Sequence, residues 1–166
     1  NVTGVQTCAL PISIVPLAKM PWNLRHAVLA AEDRNFYSQH AFSPSGFVRA
    51  VIDNIKSLGN GGGGSTITQQ YAKNAFLTQQ RSITRKIKEL VIAIKLENQL
   101  SKDQIFENYL NTIYFGRGAY GVETASQQYF NRSASQLTLA QSAVIASILR
   151  SPGYYDPQYG KNNMKR

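Results

Sequence analysis

The chain has 166 residues, enough for one domain with a hydrophobic core, and its 18 Lys and Arg outnumber its 9 Asp and Glu. The net charge of +9 and the pI of about 9.8 suggest an anionic partner such as nucleic acid, phospholipid or a phosphorylated substrate. A single cysteine excludes a disulfide framework, His26 and His40 lack partners at zinc-ligand spacing, and no apolar run is long enough to span a membrane.

The first 13 residues, NVTGVQTCALPIS, match nothing that follows, and GVQTCALPI resembles a translated sequencing adapter. We therefore expect residues 1–13 to be foreign to the fold and a single domain to occupy 14–166. The chain looks like a domain truncated at both ends.

Helical periodicity predicts an all-α domain, because no alternating strand pattern of any length is present. Asn23 is expected to cap a first helix that ends at Glu32. A second helix is predicted over 44–58, with a loop over 57–64 behind it. Ser65 is then expected to cap a short helix over 65–76.

The strongest predicted helix covers residues 82–99 and is apolar on most of its circumference. Helices of that kind are buried in the middle of a domain, so we expect this helix to be the central buried element. Local signals predict the remaining helices: a capping box at Ser101 and Gln104, a glycine-rich break (Gly116, Gly118, Gly121) before a helix over about 121–130, and a capping box at Thr138 and Gln141 before a helix over 139–150.

The run GGGGSTITQQYAKN, residues 61–74, is more typical of a catalytic loop than of a linker. Glycines allow the backbone to approach a ligand closely, and a glycine turn that leads into a helix N-terminus can bind an anion. The run is not a nucleotide-binding P-loop, because the Gly-Lys-Ser/Thr ending is missing. Its polar side chains fall at helical spacing on one face: Ser65, Thr66, Gln69, Gln70 and Lys73.

Two carboxylates stand out as candidate acids or bases. Glu32 and Asp33 end a predicted helix, where the helix dipole disfavours negative charge, and they lie between the apolar run AVLAA and Phe36. A carboxylate with apolar neighbours can act as an acid or a base, although an exposed acid paired with Arg34 explains the pattern equally well.

Glu89 is the second candidate, because it shares a helix face with Arg81, Arg85 and Lys86. This arrangement of one acid among several bases resembles a site for a phosphate group. The commoner explanation of such a pattern is a helix face with ordinary salt bridges. Two acids on different helices, with a polar glycine loop and basic residues between them, fit sugar chemistry with a phosphate leaving group.

Five ordered segments resemble the motifs of the peptidoglycan glycosyltransferases, which are the polymerase domains of class A penicillin-binding proteins and their monofunctional relatives. The match covers about residues 20–156, and five motifs in order with sensible spacing are highly specific. The segments are EDRNFY (32–37), GGSTITQQYAKN (63–74), RKIKE (85–89), YLNTIYFGRGAYG (109–121) and LTLAQSAVIASILRSP (137–152).

This resemblance implies a lysozyme-like helical fold with a small membrane-associated jaw subdomain. It implies polymerisation of lipid II into β-1,4 glycan strands with inversion and release of undecaprenyl pyrophosphate. Glu32 would be the general base, and Glu89 would assist at the pyrophosphate, directly or through a divalent cation such as Mg²⁺ or Mn²⁺. The implied substrate-binding residues are Asp33, Phe36, Ser65, Thr66, Gln69, Gln70, Lys73, Arg81, Arg85 and Lys86.

The resemblance also implies partners and a place in the cell. These are lipid II, the growing glycan strand and the membrane surface at the outer face of the bacterial cytoplasmic membrane, with no nucleic acid. A C-terminal transpeptidase domain could follow in a longer protein, and the membrane anchor usual in the family is not in this sequence. Asn111, Tyr114 and Arg117 are expected to be mainly scaffold residues.

The first motif departs from the family, since Gln39 and Ala41 stand where a His and a Gly are usual, with His40 shifted by one position. Three other interpretations remain open. A lysozyme-type hydrolase would have no use for the basic cluster at 81–89. A basic module for nucleic acid or membrane would not need two acids among bases, and a catalytically impaired fragment of the family is the third.

Overall fold

The computed structural model describes residues 13–38, 65–77 and 82–158, and this part of the chain is all-α, as predicted. The predicted helix over 44–58, the loop over 57–64, Arg81 and the departures at Gln39 and Ala41 lie outside the described residues. The helices are α1 (Trp22–Glu32), α2 (Ile67–Phe76), α3 (Ile83–Gln99), α4 (Lys102–Thr112), α5 (Val122–Phe130) and α6 (Leu139–Arg150).

Most helix ends follow from short-range signals in the sequence. Both predicted capping boxes are formed, at Ser101 with Gln104 before α4 and at Thr138 with Gln141 before α6. Two predicted caps are wrong. The cap of α1 is Pro21 rather than Asn23, because the helix already begins at Trp22 and the Pro21 carbonyl accepts the Arg25 N–H. The cap of α2 is Thr66 rather than Ser65, since the Thr66 hydroxyl accepts the Gln69 backbone N–H.

The main hydrophobic core is assembled around α4, with α1 packed against α6 beside it. Its largest fully buried side chains include Phe36, Phe106, Tyr109 and Phe115. α1 contributes to it an apolar stripe at a spacing of four residues, formed by Leu24 and Val28. The last residue of α1, Glu32, and its C-cap, Asp33, both lie against the start of α2, to which each is hydrogen-bonded.

The prediction that the helix over 82–99 is the central buried element is wrong for the described structure. α3 packs mainly against α2, and its buried residues Ala93 and Leu96 join a small satellite cluster with Ala72. On its outer face Ile87 and Val91 are 39% and 38% exposed. The reason is that exposed lysines are interleaved with these apolar residues, so the apolar count overstated how much of the helix is buried.

A tight loop joins α4 to α5 and contains an isolated antiparallel bridge between Tyr114 and Tyr120, the only β-pairing among the described residues. Gly121 has φ +82°, and a Cβ there would lie 2.6 Å from the Asn111 carbonyl oxygen, so only glycine fits. Arg117 pairs with the buried Asp156 through both carboxylate oxygens and lies over the Tyr129 ring. These contacts agree with the scaffold role expected of this motif.

The segment before α1 is an integral part of the fold. Val15 exchanges two hydrogen bonds of 2.9 Å with the Asn111 side chain, and the Leu17 N–H donates to Glu107 Oε2. Val15, Leu17 and Met20 are buried in the core. None of the described helices combines the length and the apolar character that a membrane crossing requires.

Candidate active site

The two acids at the end of α1 are placed against the N-terminus of α2. Asp33 Oδ2 accepts the Ile67 backbone N–H at 3.2 Å, and Asp33 is 9% exposed. This N–H is one of the unpaired donors of the first turn, and the positive end of the α2 dipole faces the carboxylate. The unfavourable position of Glu32 and Asp33 at the end of α1 is therefore offset by the start of α2.

Glu32 is bound on one of its two oxygens only. Gln70 Nε2 donates to Glu32 Oε2 at 2.9 Å. Glu32 Oε1 is buried, and no described residue is its hydrogen-bond partner. A buried polar atom without a partner is unusual in a folded protein and calls for an explanation, of which a catalytic role is one.

The Gln70 amide is itself held from behind by Tyr109 of α4. The Tyr109 hydroxyl donates to Gln70 Oε1 at 3.1 Å, and the Tyr109 side chain is fully buried. Burial raises the pKa of the Tyr109 hydroxyl well above its usual range, and the nearby carboxylates of Glu32 and Asp33 raise it further. The hydroxyl therefore keeps its proton and acts as a donor.

Glu89 lies in a different environment on α3. Lys86 Nζ is 2.6 Å from Glu89 Oε1, and the two side chains are 12% and 3% exposed. The same ammonium donates to Ser65 Oγ at 2.9 Å and lies 3.5 Å from Gln69 Oε1. The three donors of Lys86 thus join the second acid to the loop before α2 and to the first turn of α2.

The structure brings both predicted acids to one end of α2. Gln70 donates to Glu32, and the neighbouring Gln69 accepts from Lys86, which also binds Glu89. Two consecutive residues of α2 are therefore connected to the two carboxylates. The Glu32 carboxylate has an amide donor and an oxygen with no partner among the described residues, whereas the Glu89 carboxylate is neutralised by an ammonium. Two acids in unlike surroundings can take unlike roles in a reaction.

Three predicted substrate-binding residues make structural contacts. Phe36 is 1% exposed and packs against Phe106 in the core. Asp33 and Thr66 are occupied in capping α2 through its backbone N–H groups. Both side chains thereby fix where the first turn of α2 lies.

The basic residues are placed as follows. Lys73 lies half-buried on α2, one turn after Gln69 and Gln70, and no partner of its ammonium is found among the described residues. Arg85 is half-buried on α3 beside Lys86, and its backbone N–H is capped by Ser82. Arg81 lies outside the described residues.

The surroundings of Glu89 do not fit a divalent cation. Mg²⁺ and Mn²⁺ need several oxygen ligands, whereas Glu89 supplies a single carboxylate already bonded to an ammonium. Across residues 13–38, 65–77 and 82–158 no group of three or more His, Cys, Asp or Glu could hold a metal ion.

A second network fixes α2 from its opposite side. Thr68 Oγ1 and Lys102 Nζ both donate to Glu97 Oε1, at 2.6 and 2.9 Å, and Lys102 Nζ lies 4.8 Å from the centre of the Phe36 ring. This network joins α2, α3, α4 and the turn after α1. Sequence reasoning missed both Glu97 and Tyr109, because nothing local in the sequence shows that they face α2.

Comparison with known proteins agrees with these features. The family model described as Transglycosylase matches residues 7–166. Penicillin-binding protein 1A of Mycobacterium tuberculosis is 50% identical over 147 residues, covering 86% of this chain and 18% of that protein. Penicillin-binding protein 1F of Bacillus subtilis is 46% identical over 143 residues, covering 86% of this chain and 20% of that protein.

A third relative, penicillin-binding protein 1A of Aquifex aeolicus, is 46% identical over 145 residues, covering 87% of this chain and 20% of that protein. The chain therefore spans about a fifth of the length of the curated relatives it matches.

Proposed function

The chain belongs to the transglycosylase family, and from that premise we propose that it polymerises lipid II into β-1,4-linked glycan strands. The donor is a growing strand that carries undecaprenyl pyrophosphate at its anomeric carbon. The acceptor is the 4-hydroxyl of an incoming lipid II. The reaction is a glycosyl transfer with inversion at the anomeric carbon.

The observation that carries this proposal is the unequal state of the two acids at the start of α2. Glu32 holds one oxygen on Gln70 and leaves the other without a described partner, which suits a group that must accept a proton. Glu89 is held against the Lys86 ammonium, which suits a group that organises positive charge rather than one that takes up a proton. Environments that differ in this way support Glu32 as the base.

In the proposed step, Glu32 Oε1 accepts the proton of the acceptor 4-hydroxyl as its oxygen attacks the anomeric carbon. A new carbon–oxygen bond forms on one face of the sugar while the bond to the pyrophosphate breaks on the other. The pyrophosphate leaves with the electron pair of the broken bond. Attack opposite the leaving group inverts the configuration, which matches a β-linked product from an α-linked donor.

The leaving pyrophosphate requires positive charge, and basic side chains of α2 and α3 provide it. We place the phosphates beside the Lys73 ammonium of α2, with Arg85 of α3 as a second cation, since cationic groups stabilise the charge that develops on a leaving phosphate. Lys86 acts indirectly. Its three donors hold Glu89, Ser65 and Gln69, so it fixes the shape of the phosphate-binding surface.

The substrate class also assigns the remaining partners. Because lipid II carries an undecaprenyl chain, we propose that the domain acts at the membrane surface, on the outer face of the bacterial cytoplasmic membrane. The relatives are named as penicillin-binding proteins and are about five times longer than the matched region. We propose that a transpeptidase domain accompanies this one where the parent protein has the length of those relatives.

The test is incubation of the full chain with lipid II in detergent, followed by gel separation of the glycan products. We expect a ladder of strands that muramidase degrades. A well-folded protein that yields no glycan, and instead binds nucleic acid with an affinity that falls steeply with salt, would contradict the proposal. Release of short soluble sugars from finished strands would indicate a hydrolase instead.

A further inference from the structure

We propose that Tyr109 is a positioning residue for the general base and that it acts through the orientation of the Gln70 side chain. This inference rests on the proposed function, since it concerns how Glu32 is held for proton transfer. It is carried by three consecutive groups: the Tyr109 hydroxyl, the Gln70 amide and the Glu32 carboxylate. They come from α4, α2 and the end of α1.

The Gln70 amide can be oriented in two ways. Rotation of the Gln70 amide by half a turn exchanges its oxygen and its nitrogen, and the two arrangements occupy nearly the same volume. One places Nε2 against Glu32 Oε2, which is attractive. The other places Oε1 against the carboxylate, where two acceptors face each other with no proton between them. The Glu32 carboxylate therefore favours the first arrangement, as does the Ser65 carbonyl oxygen 3.4 Å from Nε2, and a group that binds Oε1 from behind would fix the amide in it.

Tyr109 is the group that binds Oε1. Its hydroxyl reaches the Gln70 side chain at 3.1 Å from the buried side of α4, and its proton has an acceptor on Gln70 only when Oε1 faces it. The Tyr109 side chain is fully buried, so water does not offer its hydroxyl an alternative acceptor. With Oε1 held by Tyr109, Nε2 is directed at Glu32 Oε2, 2.9 Å away.

The consequence falls on the other oxygen of Glu32. Since Oε2 is held by Gln70, the carboxylate plane is fixed and Oε1 is the oxygen left for the acceptor hydroxyl. Tyr109 touches neither reacting atom. It determines which oxygen of the base receives the proton, and the placement of reacting groups within a fraction of an ångström affects rate strongly.

The test compares Tyr109→Phe with Tyr129→Phe in the lipid II polymerisation assay on the full chain. Both changes remove one phenolic hydroxyl, but Tyr129 donates to the Phe115 carbonyl in the loop between α4 and α5. For Tyr109→Phe we expect kcat to fall roughly five- to tenfold, the worth of one hydrogen bond, with KM changed less than about twofold. Tyr129→Phe should keep the wild-type kcat.

A second variant separates positioning from a general loss of structure. Gln70→Met removes the amide and keeps the Tyr109 ring, and we expect kcat to fall at least as far as in Tyr109→Phe. Because the hydroxyl acts only through the amide, adding Tyr109→Phe to Gln70→Met should cause no further loss. If circular dichroism shows that Tyr109→Phe is not folded, the kcat of Gln70→Met alone decides.

The outcomes distinguish this inference from the proposed function. Wild-type kcat in Tyr109→Phe or in Gln70→Met, while the unmodified chain makes glycan, overturns the role of Tyr109 and leaves the polymerase activity standing. Losses that multiply in the double variant also overturn it, because the two groups would then act independently. An unmodified chain that makes no glycan overturns both.

Discussion

Gln70 Nε2 lies 2.9 Å from Glu32 Oε2, so the first turn of α2 is joined directly to the last residue of α1. The neighbouring Gln69 faces Lys86, which holds Glu89. Two successive amides thus connect acids that are 57 positions apart in the sequence, 89 minus 32. The first turn of α2 therefore positions both halves of the candidate site, one around Glu32 and one around Glu89.

Replacing Lys73 by Ala should weaken donor binding and slow turnover together, since the ammonium would contact the pyrophosphate both before and during its departure. The loss of one charge-assisted contact corresponds to about ten- to a hundredfold in affinity. Affinity for a phosphoglycolipid inhibitor that resembles the donor measures the first effect and lipid II turnover the second. Lys95→Ala, at an exposed position of α3, is the matched control and should change neither.

Lys86→Met should destabilise the fold by about 3–5 kcal/mol, because it leaves the Glu89 carboxylate buried without its counter-ion. Adding Glu89→Gln should recover part of that loss. Urea denaturation measures the free energy of unfolding of each variant. Lys88→Met changes an exposed lysine of the same helix and should cost less than about 0.5 kcal/mol. Equal costs at the two lysines would show that the buried ion pair is unimportant.

Gly121→Ala should cost clearly more stability than Gly118→Ala. Both glycines have positive φ, which costs an alanine about 1–2 kcal/mol, but a Cβ at Gly118 meets nothing within 4 Å. A Cβ at Gly121 would lie 2.6 Å from the Asn111 carbonyl oxygen. It would displace the last turn of α4, where the Asn111 side chain binds Val15. Urea midpoints of the two variants give the comparison, and equal midpoints would mean that the backbone relaxes without cost.

Tyr109 should make the fold less stable at high pH. Its pKa is raised in the folded protein by burial, whereas in the unfolded chain it is about 10. Below pH 10 both states keep the proton and stability does not depend on this group. Above it, only the unfolded chain releases the proton, so the free energy of unfolding falls as pH rises. Urea midpoints between pH 8 and 11 should fall less steeply in Tyr109→Phe; parallel curves would rule out this contribution.

Helix ends were largely predictable because their signals are local. The capping boxes at Ser101 and Thr138 each lie within four residues, and both are formed as expected. The cap of α2 was misplaced by one position because Ser65 and Thr66 are both good caps, and only the fold shows which hydroxyl faces the helix. The burial of α3 was overestimated, because the number of apolar residues in a helix does not show which of its faces other helices pack against.

The site was predictable as a set of residues but not as an arrangement. Motif spacing pointed to Glu32, Glu89 and the polar face of α2. It could not show that Asp33 caps that helix, because the two segments are 34 positions apart and meet only in the folded chain. The same holds for Tyr109, whose contact with Gln70 spans 39 positions. Phe36 was assigned to substrate from its motif, although its apolar ring is buried in the core.

The most direct test of the account is the turnover of lipid II by Glu32→Gln, measured beside its affinity for the donor-like phosphoglycolipid. The amide is nearly isosteric with the carboxylate and its oxygen can still accept from Gln70, so fold and affinity should be preserved. It cannot take the proton of the acceptor hydroxyl, so we expect turnover to fall by about 10²–10⁴. Turnover near that of the unmodified chain would show that Glu32 is not the base and would contradict the proposed mechanism.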